Sequence, residues 1–326
     1  MDKNWSKIAI ITDDFVREIY NDWAMSLFGS FSKNIEILSV PPGEQSKCRF
    51  QVETLQDQLC EKRFDRDALI VGLGGGVVCD LAGFIAATFL RGVDLILVPT
   101  TLLAMVDASI GGKCGVNTPQ GKNVIGTVYF PKQIIFDKIF LKTLPPEELN
   151  SGMMEMIKAA LICDNELFRA MLRREPWEKF IERAMEIKKE IVTRDPQEKG
   201  ERRSLNFGHT VAHAIEKLSN YQVAHGRAVG FGLLVEGALS FLRGFLSHEE
   251  YGSIKELLTQ YKVNTKWGYL PEEIFEAMKG DKKSKGERVR MVLLERIGKV
   301  ADFGGEYCNE VTQEEVAQAL ELVGAL

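Results

Sequence analysis

Apolar strand-like runs alternate with helical stretches up to residue 143, one run meets a helix through three glycines, and helical periodicity dominates from there on. These observations predict an α/β fold in two parts. Residues 1–143 should form a Rossmann-like parallel-sheet domain and residues 144–326 an α-helical domain. A chain of 326 residues exceeds what one small core serves, which agrees with two domains. Its 45% hydrophobic and 27% charged residues are ordinary for a water-soluble protein. A formal charge of −5 gives no general attraction to nucleic acid or acidic membranes, so any basic cluster must be a local device for an anion. No apolar run has the length to span a bilayer. The six cysteines are scattered without Cys-x-x-Cys spacing, which points away from a disulfide framework or zinc ribbon and towards a reducing, cytoplasmic setting.

In chain order, Lys7 to Asp13 is an apolar run ending in an acid, as in a buried parallel strand, and puts Asp13 where open α/β sheets bind ligands. Ile35 to Val40 reads as a second strand, followed by a polar loop through Glu44, Gln45 and Lys47 and a helix from about Cys48 to Arg63. Ala68 to Leu73 then enters Gly74-Gly75-Gly76, and a helix runs from Val77 to Leu90. Strand, glycines and helix can bring backbone N–H groups and a helix N-terminus against a pyrophosphate, although a ligand-free glycine turn has the same pattern. Asp80, one turn into that helix, suits a nicotinamide or ribose group better than a phosphate. After the strand Val93 to Pro99, Thr100 and Thr101 read either as ligand contacts or as caps of the next helix. Asp107 to Asn117 and Gly121-Lys122-Asn123 hold lysines, Lys113 among them, between glycines and amides, a pattern of anion binding rather than of a solvated surface. Gln133 to Asp137 looks like a last strand, and Pro145-Pro146-Glu147-Glu148 opens the helical part.

Three of four histidines fall within Asn206 to Gly226. His209 and His213, spaced i, i+4, share a helix face and can share a metal or divide the work of ligand and proton carrier; a hydrogen-bonded core pair is the alternative. His225 lies far enough on to come back from a loop as a third ligand. Glu155 sits among Met153, Met154, Met156 and Ile157. It forms an ordinary i, i+3 surface pair with Lys158, or points inward and needs a partner such as a metal. Further on come a helix over Phe180 to Arg194, a helix from Val229 to Leu242, a basic stretch at 279–286, a small hairpin over 290–300 and a closing helix from Val311 to Leu322.

Taken together, Gly74 to Phe84, Pro99 to Ala104, Asp107 to Lys113, Gly121-Lys122-Asn123, Glu155 with Lys158, Asn206 to His209 with His213, His225-Gly226 and Asp281-Lys282-Lys283 resemble the 3-dehydroquinate synthase family, and more broadly the sugar-phosphate cyclases. The blocks run in family order over nearly the whole chain. The resemblance implies an NAD-binding α/β domain and a metal-binding helical domain. It makes Glu155, His209 and His225 the ligands of one divalent metal, zinc or cobalt. It assigns cofactor contacts to Asp13, Glu44, Lys47, Gly74, Gly75, Gly76, Asp80, Thr100, Thr101, Lys113, Lys122, Phe140 and Thr143. Substrate contacts would come from Lys113, Asn123, Lys158, Lys188, Arg202, Asn206, His213 and Lys282, with Asp107 in the same site and Lys188 and Arg202 on a carboxylate. Glu198 and His213 match the proton-handling pair, and Arg91 an arginine that reaches the neighbouring subunit's site, which implies a homodimer.

The reaction so implied oxidises a seven-carbon keto-acid phosphate by NAD, eliminates phosphate, reduces the ketone again and closes the carbocycle. Metal, cofactor and a cage of lysines and arginines each answer one of these needs. A metal-dependent polyol dehydrogenase has little reason to keep Lys113, Lys158, Lys188, Arg202 and Lys282 together, because its substrate carries no anion. A cyclase for another sugar phosphate, of the 2-deoxy-scyllo-inosose synthase type, remains the alternative; an inactive regulator would not need the three ligands. The family's extra N-terminal hairpin and strand are missing or reduced before Lys7, and Gln45, Cys79 and Arg227 replace the commoner lysine, glycine and glutamate.

Overall fold

The structure, a computed structural model, describes residues 5–279 and 288–325. It falls into two compact units, Met1–Pro145 and Pro146–Leu326. The first contains β1 (Ile8–Asp13), α1 (Asp14–Phe28), β2 (Ile35–Val40), α2 (Arg49–Glu61), β3 (Leu69–Gly74), α3 (Gly76–Thr88), β4 (Asp94–Pro99), β5 (Lys113–Thr118), β6 (Gly121–Val128) and β7 (Gln133–Ile134). Five strands form one parallel sheet in the order β2-β1-β3-β4-β7. β1, β3 and β4 read as unbroken apolar runs because both faces of the sheet are covered, and Ile8, Ile10, Ile70 and Val98 are wholly buried. Strand order reverses direction between β1 and β3, which makes their carboxyl ends, at Asp13 and Gly74, the place where an open α/β sheet leaves a ligand crevice.

Glycine also sets how closely α3 lies on the sheet. A Cβ at Gly72 would come within 2.8 Å of Ala82 Cβ, and one at Gly74 within 2.6 Å of Val78. The stretch read as lysines among glycines and amides, with no strand assigned to it, forms an antiparallel hairpin, β5 with β6. Its strands touch through Gly115 and Gly126, where a Cβ on either would meet the opposite backbone at about the same 2.5–2.6 Å. Alternation was hard to read there because β6 is exposed or half-buried along its whole length. The strand expected over Gln133 to Asp137 shrinks to Gln133–Ile134, and Ala104–Ala108 adopts a π-helical turn.

The second unit contains α4 (Pro146–Cys163), α5 (Asn165–Leu172), α6 (Ile181–Arg194), α7 (His209–Leu218), α8 (His225–Leu242), α9 (His248–Gln260), α10 (Pro271–Lys279), β8 (Arg290–Met291), β9 (Leu294–Arg296), β10 (Lys299–Val300), β11 (Asn309–Glu310) and α11 (Gln313–Leu322). α8 is its axis: residues 228–240 are buried on every side, against α4, α7, α9 and α11. Sequence periodicity started this helix at Val229, but the first turn begins at His225. The reason is Gly226, which lets α8 approach α4 so closely that a Cβ there would collide with the Ser151 backbone. Over 290–300, β9 and β10 form the expected hairpin, whereas β8 pairs with β11. Among the described residues no helix is long and apolar enough to cross a membrane.

Candidate active site

α4 is buried from Ser151 to Ile162, so Glu155 and Lys158 are interior residues, 2% and 3% exposed, and they pair with each other there. The surface-pair reading of Glu155 therefore fails and the inward one holds: the i, i+3 pair with Lys158 exists, but in the interior. Its two oxygens are buried without a hydrogen bond of acceptable geometry. The Nε2 atoms of His209 and His225 each stand 3.4 Å from Glu155 Oε1. Glu155, His209 and His225 thus offer three ligand atoms within 4.8 Å of one another. His213 stays outside this group, one turn further along α7, exposed, with its ring 5.6 Å from that of His209.

The outer nitrogens explain what the inner ones want. His209 Nδ1 lies 3.1 Å from the Phe207 carbonyl, which can only accept, so Nδ1 carries a proton. His225 Nδ1 lies 3.3 Å from Glu216 Oε1, so it too donates. In the neutral rings both Nε2 atoms are then lone-pair acceptors, and they face a carboxylate oxygen, a third acceptor. Three acceptors converging in a buried place are stable only around a cation, and carboxylate plus two imidazoles is a donor set that suits a divalent metal with an open position. The residues present fit such an ion.

In the metal-free protein a proton fills part of this need. Burial opposes a charge on His225, but the carboxylates of Glu155 and Glu216 beside it overcome this and push its pKa up to about 10. Burial, then the charge of Lys158, pushes His209 down to about 4. Glu155 is held well below the usual carboxylate range: its burial works the other way, but Lys158 and the two imidazoles outweigh it. At pH 7 to 8, then, His225 is protonated and His209 is not, and a metal must displace the His225 proton. Binding is expected to release about one proton per metal, with affinity rising roughly tenfold per pH unit between about pH 5 and 9. Titration calorimetry in buffers of different ionisation enthalpy checks this; zero protons released would show that His225 is already neutral.

Glu216, 3% exposed on α7, was not singled out from sequence. It is seven residues after His209 and so on the same helix face, a spacing that held the signal. A carboxylate behind a ligating imidazole fixes its tautomer and raises its basicity.

Around Arg202, Asp195 organises the chain by accepting from the N–H groups of Lys199 (3.0 Å), Gly200 (2.7 Å) and Arg202 (3.1 Å). Arg202 is 3% exposed and donates from Nη1 to the Pro196 carbonyl at 2.8 Å. Glu198, at a positive φ of 57°, accepts from Asn206 Nδ2 at 2.9 Å. Lys188 is half-buried on α6. Lys282 lies outside the described residues.

In the first unit the α3 N-terminus begins at Gly75 with no side-chain cap, leaving N–H groups for an anion. A Cβ at Gly75 would stand 3.1 Å from Thr101, and one at Gly76 3.3 Å from Ala108, so side chains would fill this cradle. Its glycines and position at the strand reversal fit a dinucleotide pyrophosphate. Lys47, 5% exposed, pairs with Asp80. Asn117, the last residue of the Asp107 to Asn117 stretch and given no role of its own from sequence, ties this corner together. Its N–H donates to the Lys47 carbonyl at 2.8 Å and its amide to Glu44 Oε1 at 2.7 Å, while its Oδ1 accepts from the Asn123 N–H at 3.0 Å. Asp13 caps α1 by accepting from Val16 N–H at 2.9 Å, and burial raises its pKa. Thr101 Oγ1 accepts from Ala104 N–H at 3.1 Å, the capping role, while Thr100 is buried. Phe140 is 1% exposed and packs edge-on to Tyr20 and Trp23, so its ring serves the core; Thr143 Oγ1 lies 2.7 Å from Tyr20 Oη. Asp107 sits in the π-helical turn, Lys113 opens β5 and Lys122 lies on β6. Cys79 is buried and burial raises its thiol pKa, so it packs as an apolar residue.

Residues 37–151 match the family described as 3-dehydroquinate synthase N-terminal and residues 152–284 the one described as 3-dehydroquinate synthase C-terminal. A 3-dehydroquinate synthase of Pyrococcus furiosus is 40% identical over 322 residues, 97% of this chain and 92% of the relative. A 2-deoxy-scyllo-inosose synthase solved with carbaglucose-6-phosphate, NAD+ and Co2+ superposes with a TM-score of 0.89 at 26% identity, covering 99% of this chain and 91% of the other. The 2-epi-5-epi-valiolone synthase of Streptomyces hygroscopicus subsp. jinggangensis 5008, solved with NAD+ and Zn2+, gives 0.88 at 26% identity, with 98% and 91% covered.

Proposed function

The chain belongs to the 3-dehydroquinate synthase family, and from that premise we propose how its own residues divide the family's work. The reaction is the NAD- and metal-dependent conversion of 3-deoxy-D-arabino-heptulosonate 7-phosphate to 3-dehydroquinate and phosphate, a carbon–oxygen lyase step of the shikimate pathway. When bound, NAD takes up and returns a hydride and the zinc or cobalt ion polarises the oxygen it meets.

Glu155, His209 and His225 hold the metal; the convergence of three acceptor atoms carries this reading. Gly75, Gly76 and the open N-terminus of α3 take the pyrophosphate, with Lys47, Asp80 and Glu44 beside them on the nucleotide. Lys158 serves as a buried cation beside the reacting oxygen. Arg202, its guanidinium already oriented by Pro196, takes the substrate carboxylate together with Lys188, a planar fork suiting two-point contact. Lys113, Asn123 and Lys282 hold the phosphate group, with Asp107 in support. His213 and Glu198, the latter oriented by Asn206, handle protons during elimination and ring closure.

A homodimer fits the first unit. Val124, Val128 and Phe130 are 49%, 50% and 53% exposed on or beside β6, which pairs only with β5 among the described residues. Leu90 and Arg91 carry positive φ of 48° and 67° immediately before Gly92, a strained presentation that makes sense if Arg91 serves a neighbouring subunit. Six free cysteines suit a cytoplasmic location.

The test is a redox balance. Metal-loaded protein with substoichiometric NAD should release one phosphate per substrate consumed, with no steady rise at the NADH band. Stoichiometric NADH with phosphate still on the product would make it a dehydrogenase. Efficient turnover of glucose 6-phosphate, which has no carboxylate for Arg202, would make it an inosose-type cyclase.

A further inference from the structure

Glu236 is a wholly buried carboxylate in the middle of α8 to which the chemistry above gives no part. Its oxygens accept from two backbone N–H groups of the first turn of α7, Gly208 at 2.8 Å and Thr210 at 3.2 Å. The residue between them is His209. A helix start leaves such N–H groups unsatisfied, and a Ser, Thr, Asp or Asn at the cap position normally covers one. Here no local cap is possible. The cap residue is Gly208, at φ 80°, where a Cβ would stand 2.7 Å from Leu233 Cδ2 and 2.9 Å from its backbone nitrogen. One turn earlier on α8, a Cβ at Gly232 would collide with the Gly208 carbonyl oxygen. Gly232 and Glu236, i and i+4 on one face, therefore grip the same turn, the first by absence of a side chain and the second by charge.

α8 also begins with His225. We infer that Glu236 is a positioning residue of the metal centre: one helix carries the second imidazole at its start and, through Glu236, fixes the backbone that carries the first. The separation of the two imidazoles is thereby set along α8. This inference rests on the metal assignment above and adds to it a residue that touches neither metal nor substrate.

A helix cap that merely stabilises the fold would give the same contacts, so the test needs a matched control. Ser240, wholly buried one turn further on, donates to the Glu236 carbonyl at 2.7 Å and accepts from Leu294 N–H at 3.0 Å. Ser240→Ala removes buried hydrogen bonds from the same helix and leaves the α7 turn alone. Co2+ is titrated into the metal-free full chain, with affinity from chelator competition and geometry from the visible absorption bands. Glu236→Ala should weaken Co2+ about 10- to 100-fold and shift the bands, while Ser240→Ala keeps wild-type affinity and spectrum at comparable loss of thermal stability. Glu236→Gln, which keeps the volume and one acceptor, should fall between and carries the test if the alanine variant does not fold. Wild-type affinity and spectrum in the Glu236 variants, or equal weakening in Ser240→Ala, overturns the inference alone. Failure of the wild type to bind one Co2+, or wild-type binding by His209→Ala, overturns the metal assignment and the inference with it.

Discussion

Replacing Glu155 by alanine is expected to give a protein that retains no metal after dialysis, shows no phosphate release above background, and melts well below the wild type. Each effect has its own cause. Metal loss follows because the carboxylate is one of three donors, and a structural partner behind the ligands would cost only about 10- to 100-fold in affinity. The stability loss follows because Lys158, 3% exposed, is left beside an apolar methyl where its carboxylate partner stood; breaking a buried ion pair from one side costs on the order of 3–5 kcal/mol. His209→Ala should lose the metal as well but melt closer to the wild type, since it leaves the Glu155–Lys158 pair intact. His225→Ala should lose the metal and also takes the imidazole from beside buried Glu216. Metal content by atomic absorption and thermal melting separate the two effects. Full occupancy in His209→Ala would remove it from the ligand set.

The ligand trio illustrates what a sequence can carry. Glu155 was legible because a carboxylate amid Met153, Met154, Met156 and Ile157 has no apolar explanation, and α4 does bury it. The i, i+4 histidines were legible as a pair, but periodicity could not say which of them turns to Glu155; packing of Gly208 against Leu233 and Glu236 decides it, and that is tertiary. His225 was expected on a loop because the stretch after Glu216 is long enough for the chain to leave the helix and return, whereas it opens α8, where Gly226 permits close helix contact with Ser151. Glu216 and Glu236 both left signals, a polar residue on the histidine face and an acid inside Leu233-Leu234-Val235-Glu236-Gly237-Ala238-Leu239. The hairpin β5–β6 left almost none, because glycines and amides interrupt its alternation and β6 buries no face. The parallel sheet was the most readable part, since its strands are buried on both faces and therefore continuous in apolar residues.

His213→Ala is expected to keep its metal and its fold and to lose about 10²- to 10⁴-fold in kcat, the range of a positioned acid or base. His213 is exposed and stands outside the Glu155, His209, His225 group, so truncation should change stability by no more than roughly 0.5 kcal/mol. Yet it lies one turn from His209 on the same face of α7, with ring centroids 5.6 Å apart, within reach of a substrate held at the metal. Elimination of phosphate needs a proton taken from the carbon beside the new ketone and one delivered to the departing oxygen, and both come after the hydride has left the substrate. A block at that point should therefore show in a single turnover: with wild-type protein the NADH band rises and falls, whereas with His213→Ala it should rise, persist and decay only as phosphate appears. Wild-type kcat in the variant would mean that Glu198 or the substrate's own phosphate moves the proton, and metal loss in the variant would mean that His213, not His225, completes the ligand set.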